Sequence, residues 1–235
     1  MIQDYQTNVA PLELLKYLTL PERAELDRLI LTSKPIPPTW TFVANNKLLQ
    51  ESDAPEIILT GSAGTGKSLA CLNKLHTFAN ANPGFRGLII RKTRESLNES
   101  GLVTFERDIL GDTSELLSGS QRNTRHSYRY PHGSEIIVAG LTQSNKDQRA
   151  KILSTEYDLI YCQEVTELLE EEWQKLTTRL RNGRAPYQQI IGDCNPDAPS
   201  HWVWRRGQSS KLQLWETAHK DNPRLWDGVN WTQYG

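Results

Sequence analysis

Cysteine is scarce in this sequence, and its three residues, Cys71, Cys162 and Cys194, are widely spaced and odd in number. They match neither a zinc-binding pattern nor a disulfide framework, which predicts a reducing compartment. Long apolar runs are also missing, because segments such as residues 88–90 (LII) fall far short of the roughly 20 residues of a membrane-spanning helix. The first residues, MIQDY, lack the basic and apolar stretches of a signal peptide, so we expect a protein that is not secreted.

An excess of either charge is absent as well, because 27 basic and 28 acidic side chains leave a formal net charge of -1. The electrostatic footprint of a typical nucleic-acid-binding domain is therefore missing. The sequence does have the material for a core: 37% hydrophobic residues, with 7 Trp and 8 Tyr, argue against a disordered chain. Its 235 residues suffice for one large domain, or for one domain with a small appendage.

A proline-rich stretch divides the chain into two parts. Residues 11–18 and 21–31 carry apolar side chains at helical spacing, and Pro35, Pro37 and Pro38 then form a stiff break. We predict a small N-terminal helical segment with its linker over residues 1–39, and a main domain over residues 40–235.

The main domain alternates apolar strands with helical segments. Strands are predicted at residues 56–60, 87–91, 157–162 and 188–192, with a hairpin formed by residues 125–130 and 134–140. Helices are predicted at residues 66–81, 95–110 and 167–181. This alternation predicts an α/β fold with a mainly parallel sheet flanked by helices on both faces.

A glycine-rich loop lies between the first predicted strand and the helix that follows it. Residues 61–68, GSAGTGKS, match the phosphate-binding pattern G-x-x-x-x-G-K-[ST] in the strand–loop–helix context that the pattern requires. In this motif the lysine, here Lys67, reaches the β- and γ-phosphates, and the hydroxyl, here Ser68, ligates Mg²⁺. We therefore predict a P-loop NTPase fold of the RecA/ASCE-like type that uses ATP and Mg²⁺. The predicted nucleotide-binding residues of the loop are Gly61, Ser62, Ala63, Gly64, Thr65, Gly66, Lys67 and Ser68.

The preference for ATP rests on weaker signals. Residues 145–147 (NKD) place the aspartate one position too early for the guanine-binding Asn-Lys-x-Asp motif, so ATP is the default. Trp40 and Phe42 are candidates to stack on adenine, although an aromatic residue just after a proline-rich linker is more often part of the core.

A second motif supplies an acid at the end of a neighbouring strand. Residues 158–164, DLIYCQE, form a buried-type strand that ends in Gln163 and Glu164. Glu164 occupies the position of a water-activating glutamate, with a helix N-terminal acid as the structural alternative. Gln163 stands where an aspartate normally contacts the Mg²⁺ shell; its amide can still accept hydrogen bonds from metal-bound waters.

With these motifs in place, residues 40–235 resemble the ATPase domain of the terminase large subunit family of tailed bacteriophages, the DNA-packaging motor. The resemblance depends on the order of several short motifs. After GSAGTGKS come RKTRESL at 91–97, YPHGSEI at 130–136, QEVTEL at 163–168, LTTRLR at 176–181, GDCNP at 192–196, His201-Trp202, and TAHKDNP at 217–223.

The resemblance implies a function and a set of partners. ATP hydrolysis would drive double-stranded DNA into a procapsid, with Lys67 and Glu164 as catalytic residues, Ser68 and Gln163 at the metal, and Asn195 sensing the γ-phosphate. The implied partners are double-stranded DNA, the portal protein and the small terminase subunit. The subunit would be a monomer in isolation and part of a homo-oligomeric ring on the procapsid, in the host cytoplasm and without a membrane.

Two features depart from the family pattern. Many members carry an arginine inside the phosphate loop where this chain has Ala63, so another arginine must neutralise transition-state charge. Arg149, with Lys151 beside it, lies where some members place a finger that acts on the neighbouring subunit, and a solvated helix residue is the alternative. The family's C-terminal nuclease domain is not found in these 235 residues, so we expect no nuclease activity from them.

Two other functions remain open from the sequence. One is a different P-loop ATPase such as a helicase-like motor, and the other is a nucleotide-binding switch with little turnover. Candidate DNA contacts are arginines in two clusters, with a solvated hairpin edge as the alternative for the first. These clusters are Arg122, Arg125 and Arg129, and Arg179, Arg181 and Arg184.

Overall fold

The computed structural model describes residues 19, 40–111, 114–142, 150, 152–209 and 211–234. The predicted N-terminal helical segment and linker lie outside the described residues apart from Thr19, and so does Arg149. Within the described part of the chain, no helix is both long and apolar enough to cross a membrane.

The main domain is built on a seven-stranded sheet with the order β3-β4-β2-β5-β6-β1-β7. All neighbouring strands are parallel except β3 and β4, which form the predicted antiparallel hairpin. The prediction of a mainly parallel sheet is therefore confirmed. The strands are β1 (Glu56–Thr60), β2 (Arg86–Arg91), β3 (Ser127–Arg129), β4 (Glu135–Gly140), β5 (Leu159–Cys162), β6 (Gln189–Cys194) and β7 (Gln213–Glu216).

Helices cover both faces of this sheet. Successive strand residues point to opposite faces, so Ile57 and Leu59 belong to one hydrophobic cluster whereas Ile58 belongs to the other. The α-helices are α1 (Ala44–Glu51), α2 (Lys67–Ala81), α3 (Arg94–Glu99), α4 (Gly101–Thr104), α5 (Glu170–Thr177) and α6 (Trp202–Gly207). A π-helical turn follows α4 at Phe105–Leu110, and 3₁₀ turns lie at Glu115–Leu117, Val165–Glu167 and His219–Asp221.

The predicted helix over residues 95–110 is not continuous, so this prediction is wrong in part. The helix is interrupted at Ser100, which has φ -125° and ψ -75°. The Ser100 hydroxyl donates to the carbonyl of Ser96 at 2.7 Å, and such side-chain bonds compete with regular helical pairing.

Two other predicted boundaries are corrected. The acidic helix begins at Glu170 rather than at Glu167, because a 3₁₀ turn at Val165–Glu167 precedes it. Strand β6 extends to Cys194, beyond the predicted end at Gly192, because it pairs with β1 as far as Thr60. Asp193 thereby becomes a strand residue next to the phosphate loop.

Candidate nucleotide-binding and catalytic site

The phosphate loop connects the end of β1 to the start of α2. Gly66 immediately precedes α2 with φ 82° and ψ 8°, a left-handed conformation that glycine adopts without steric cost. A Cβ atom at Gly66 would lie 3.1 Å from the Cα atom of Asn222, so close backbone packing also requires glycine here. The first turn of α2 has backbone N–H groups without helical partners, which makes its N-terminus a site for anions such as phosphate.

Lys67 and Ser68 are the first two residues of α2. The Lys67 ammonium donates to the carbonyls of Gly61 at 2.7 Å and Ser62 at 2.8 Å, which holds it inside the curve of the loop. The Ser68 hydroxyl donates to Oδ2 of Asp193 at the end of β6. The loop thus presents a cation and a hydroxyl at the carboxyl edge of the sheet.

A segment from the C-terminal part of the domain supports the loop from outside. Asn222 Nδ2 donates to the Gly64 carbonyl at 2.7 Å, and the His219 ring lies 3.1 Å from the Ala63 carbonyl oxygen. The Thr217 hydroxyl lies 2.9 Å from the Thr65 hydroxyl. The motif TAHKDNP therefore contributes to the conformation of the phosphate loop, a role that its sequence did not reveal.

Glu164 follows β5 and has a left-handed backbone, with φ 51° and ψ 61°. Its N–H donates to Oδ1 of Asp193 at 3.1 Å. Burial raises the pKa of the Glu164 carboxyl, the negative charge of Asp193 raises it further, and the guanidinium of Arg91 opposes both effects. A carboxyl with a raised pKa is a better proton acceptor near neutral pH than an ordinary glutamate.

Gln163 is buried, and its amide oxygen lies 3.2 Å from the hydroxyl oxygen of Ser100. The Asp193 carboxyl is also buried, and burial raises its pKa, whereas the hydrogen bonds from Ser68 and the Glu164 N–H lower it. The acid that contacts Ser68 thus comes from β6, next to the phosphate-loop strand, and not from β5.

These groups line one open cleft of about 390 Å³. It brings together most of the predicted site: Ala63, Gly64, Thr65, Gly66, Lys67, Ser68, Gln163, Glu164 and Asn195. Gly61 and Ser62 contribute through their carbonyls, which hold Lys67. Sequence reasoning missed the other eight lining residues, five of which carry a charge or an amide: Arg91, Asp108, Asp193, Asn222 and Arg224.

Of the missed residues, Asp193 had a signal in the sequence. It ends an apolar strand as Glu164 does, and the carboxyl ends of parallel strands meet at the same edge of a sheet. Arg224 had no such signal: it follows the last motif and is brought to the cleft by tertiary packing, where it pairs with Asp108.

For Trp40 and Phe42 the structure favours the packing alternative over stacking on adenine. Phe42 is buried in the hydrophobic core. One face of the Trp40 ring is occupied by the Arg224 guanidinium, 5.2 Å from the ring centroid, and its indole N–H donates to the Asp108 carbonyl at 2.8 Å. Both aromatic side chains are therefore used for packing.

One of the candidate DNA contacts is also wrong. Arg125 is buried and forms an ion pair with Glu106, and it donates to the Leu117 carbonyl at 2.6 Å. Its positive charge is used inside the protein and is not available to a phosphate backbone. Arg129, by contrast, has an 82% exposed side chain.

The residues of the cleft fit a nucleotide-bound magnesium ion. Among the described residues, no group of three or more His, Cys, Asp and Glu side chains could hold a metal without help. Mg²⁺ in nucleotide sites is usually held by substrate phosphates, waters and one or two protein oxygens. The Ser68 hydroxyl and the Asp193 carboxylate supply such oxygens at the loop.

A P-loop at the end of β1, with an acid at the end of a nearby parallel strand, defines a P-loop NTPase fold. The sequence model of one family, described as phage terminase large subunit, matches residues 54–227. The chain belongs to this family, which confirms the resemblance of its motifs. No curated protein matches the chain by sequence.

Solved structures of large terminases share the fold. One, the large terminase from a thermophilic bacteriophage, is 16% identical with a TM-score of 0.61, and the match covers 80% of this chain and 51% of that one. Another, the large terminase ATPase domain of Thermus phage P74-26, is 14% identical with a TM-score of 0.57, covering 80% of this chain and 88% of that one. The chain therefore spans about half the length of the first of these proteins. That first terminase has also been solved in complex with ADP and with ATP-γ-S.

Proposed function

We propose that this domain binds ATP with Mg²⁺ and hydrolyses it to ADP and phosphate. The observation that carries the proposal is the convergence of the phosphate loop and Glu164 in one cleft, with Glu164 held by a hydrogen bond to Asp193. The ADP and ATP-γ-S complexes of the thermophilic bacteriophage terminase, which shares this fold, support the choice of ATP.

Each residue has a role that follows from its chemistry. The loop N–H groups and the Lys67 ammonium bind the β- and γ-phosphates. Glu164 accepts the proton of the attacking water, whose oxygen bonds to the γ-phosphorus while the bond to the β,γ-bridging oxygen breaks and its electron pair leaves with ADP. Bound Mg²⁺ would neutralise phosphate charge as the bridging oxygen departs. Asn195 lines the same cleft, and its side-chain amide would sense the γ-phosphate by hydrogen bonding.

Phosphate release by purified chain tests this proposal. Glu164→Gln keeps the size of the side chain but removes the proton acceptor, so we expect the hydrolysis rate to fall about 100-fold or more while a fluorescent ATP analogue still binds. Lys67→Ala should lose both hydrolysis and tight binding. Glu171→Gln, an exposed glutamate on α5, is the matched control and should keep the wild-type rate. Hydrolysis by Glu164→Gln at the wild-type rate would show that another residue activates the water.

We further propose that hydrolysis powers the translocation of double-stranded DNA into a procapsid in the host cytoplasm. Family membership supports this role, and so do the partners it implies: the portal protein, the small terminase subunit and other copies of the large subunit in a ring. The test is DNA packaging by the complete large subunit with its procapsids, measured as DNA protected from nuclease. Protected DNA should be lost in Glu164→Gln and retained in Glu171→Gln; packaging by Glu164→Gln would contradict the coupling of hydrolysis to translocation.

A further inference from the structure

Gln163 directly follows β5, where an aspartate usually contacts the Mg²⁺ shell, and its side-chain amide is already in contact with another part of the protein. Gln163 Oε1 lies 3.2 Å from the hydroxyl oxygen of Ser100, a hydroxyl that accepts from Arg91 Nη1 at 3.0 Å and donates to the Ser96 carbonyl. Gly101 is adapted to this arrangement, since a Cβ atom there would lie 2.8 Å from Gln163 Oε1. Gln163 thus connects β5 to the break between α3 and α4.

Asp193 is hydrogen-bonded directly to the last residue of the phosphate loop. Strand β6 runs between β1 and β5, and Asp193 is in register with Leu59, two residues before the loop. Its side chain is only 2% exposed, and its two oxygens accept from two parts of the site, the Ser68 hydroxyl and the Glu164 N–H. A buried carboxylate bonded to the metal-binding hydroxyl has the chemistry that Gln163 lacks, a full negative charge.

The hydrogen bond to Ser68 is compatible with metal binding. A hydroxyl has one donor and two acceptor positions, so Ser68 can donate to Asp193 and still offer its oxygen to a cation. Because the donated proton lies on the Asp193 side, the Ser68 oxygen is oriented and made more electron-rich, as metal ligands are by the carboxylates behind them.

We propose that Asp193 is the acid of the magnesium site, and that it replaces on β6 the carboxylate missing at Gln163 on β5. Asp193 orients Ser68 and holds waters of the Mg²⁺ shell while it fixes the backbone of Glu164. This inference deepens the proposed nucleotide site and depends on it. The sequence pattern places the acid that contacts the metal at residue 163, directly before Glu164. The proposal places it instead at residue 193.

The dependence of ADP affinity on Mg²⁺ tests this assignment without any turnover. The dissociation constant of a fluorescent ADP analogue is measured by anisotropy in Mg²⁺ and in EDTA. In wild type, Mg²⁺ should tighten binding. In Asp193→Asn, which preserves shape, that gain should shrink about 10- to 100-fold, with affinity in EDTA within about threefold of wild type. The retained affinity in EDTA shows that the variant is folded.

Glu171→Gln, at an exposed position of α5, is the matched control and should keep the Mg²⁺-dependent gain. Gln163→Ala is the variant that distinguishes β5 from β6 as the source of the metal's acid. If Gln163→Ala abolished the tightening of ADP binding by Mg²⁺, the metal would depend on the residue that follows β5, and the proposal would be overturned. This outcome would hold even if Asp193→Asn failed to fold. An undiminished gain in folded Asp193→Asn would overturn it as well. Mn²⁺ binding in the presence of ADP, followed by electron paramagnetic resonance, should likewise be weakened in Asp193→Asn and retained in Gln163→Ala. If the wild type bound Mg²⁺ together with ADP but did not hydrolyse ATP, the ATPase proposal would be wrong, and the assignment of Asp193 to the magnesium site would still stand.

Discussion

Glu164 has a backbone conformation that costs an L-residue about 1–2 kcal/mol. Two contacts hold it there: its N–H donates to Asp193 at 3.1 Å, and its carbonyl accepts from the Glu167 N–H at 2.9 Å. Strained residues persist where the surrounding structure over-determines them, and such residues cluster at functional sites. The strain at Glu164 is a consequence of turning its carboxyl toward the cleft directly after a buried strand.

Two separate variants, Glu164→Asn and Glu164→Gln, should distinguish the effect of backbone strain on stability from the effect of losing the carboxylate charge. Asn tolerates the left-handed conformation better than other non-glycine residues, whereas Gln keeps the unbranched chain of glutamate. We expect Glu164→Asn to be about 1 kcal/mol more stable than Glu164→Gln in urea unfolding, and both to be inactive. Equal stability of the two variants would show that the φ of residue 164 carries no such cost.

At the scale of elements, α2 joins the phosphate loop to the β3–β4 hairpin. His76, on the third turn of α2, lies 2.8 Å from the Tyr130 hydroxyl and 2.9 Å from Asn80 Nδ2 through its two ring nitrogens. It also contacts the Phe105 ring edge-on at 6.2 Å between centroids. Burial lowers the pKa of His76 to about 4, so the neutral ring is the form that packs here.

This environment predicts an acid dependence of stability. Between pH 6.5 and 4 the unfolded chain binds a proton at His76 that the folded chain does not, so the free energy of unfolding should fall as pH falls through that range. Above pH 6.5 the ring is neutral in both states, and the effect is absent. The measurement is urea unfolding of wild type and His76→Gln at several pH values. The difference in unfolding free energy between them should be constant above pH 6.5 and should shift to the disadvantage of wild type below it. A constant difference down to pH 4 would contradict a neutral, partly buried ring.

At the scale of the whole molecule, the site lies on three strands that are far apart in sequence. The phosphate loop follows β1, Glu164 follows β5 and Asn195 follows β6, and the parallel sheet collects these ends along one edge. Arg91 and Arg224 line the same cleft, each paired with an acid, Glu167 and Asp108 respectively. The phosphate loop, GSAGTGKS, contains no arginine of its own, so we propose that an arginine from a neighbouring subunit completes the site of the proposed ATPase.

Mixing of inactive subunits tests Arg149 as that arginine. An interface between an Arg149→Ala subunit and a Glu164→Ala subunit can contain one intact site, so mixtures should recover part of the hydrolysis that each variant lacks alone. The measurement is phosphate release under conditions where the subunits associate. Mixtures of Lys67→Ala with Glu164→Ala subunits serve as the control. They should recover no hydrolysis, because each change disables the site of the subunit that carries it and no interface then contains an intact site. No recovery with associated Arg149→Ala subunits would rule out a finger that acts between subunits.

Local sequence signals predicted six of the seven strands, but not β7, and named most of the residues that the structure brings into one cleft, because their physics is local. The GSAGTGKS loop and the apolar strands around it specify their own conformation, and a polar residue after a strand belongs at the binding edge. The break at Ser100 was hidden, since it depends on a serine hydroxyl that bonds to its own helix. Asp193 had a signal, as the acid near the end of an apolar strand, but its position beside the phosphate loop depends on strand order. The role of Arg224 was hidden, because it depends on packing between distant segments.

The contacts of the phosphate loop with Thr217, His219 and Asn222 have a consequence for the timing of folding. Each joins residues more than 150 positions apart, as in the pairs Thr65–Thr217, Ala63–His219 and Gly64–Asn222. Contacts this distant form late, and during synthesis they must wait until residue 222 has left the ribosome. The loop is thus translated early but held in its full set of contacts only when the domain is nearly finished. We therefore expect tight nucleotide binding only from a domain that has completed its folding.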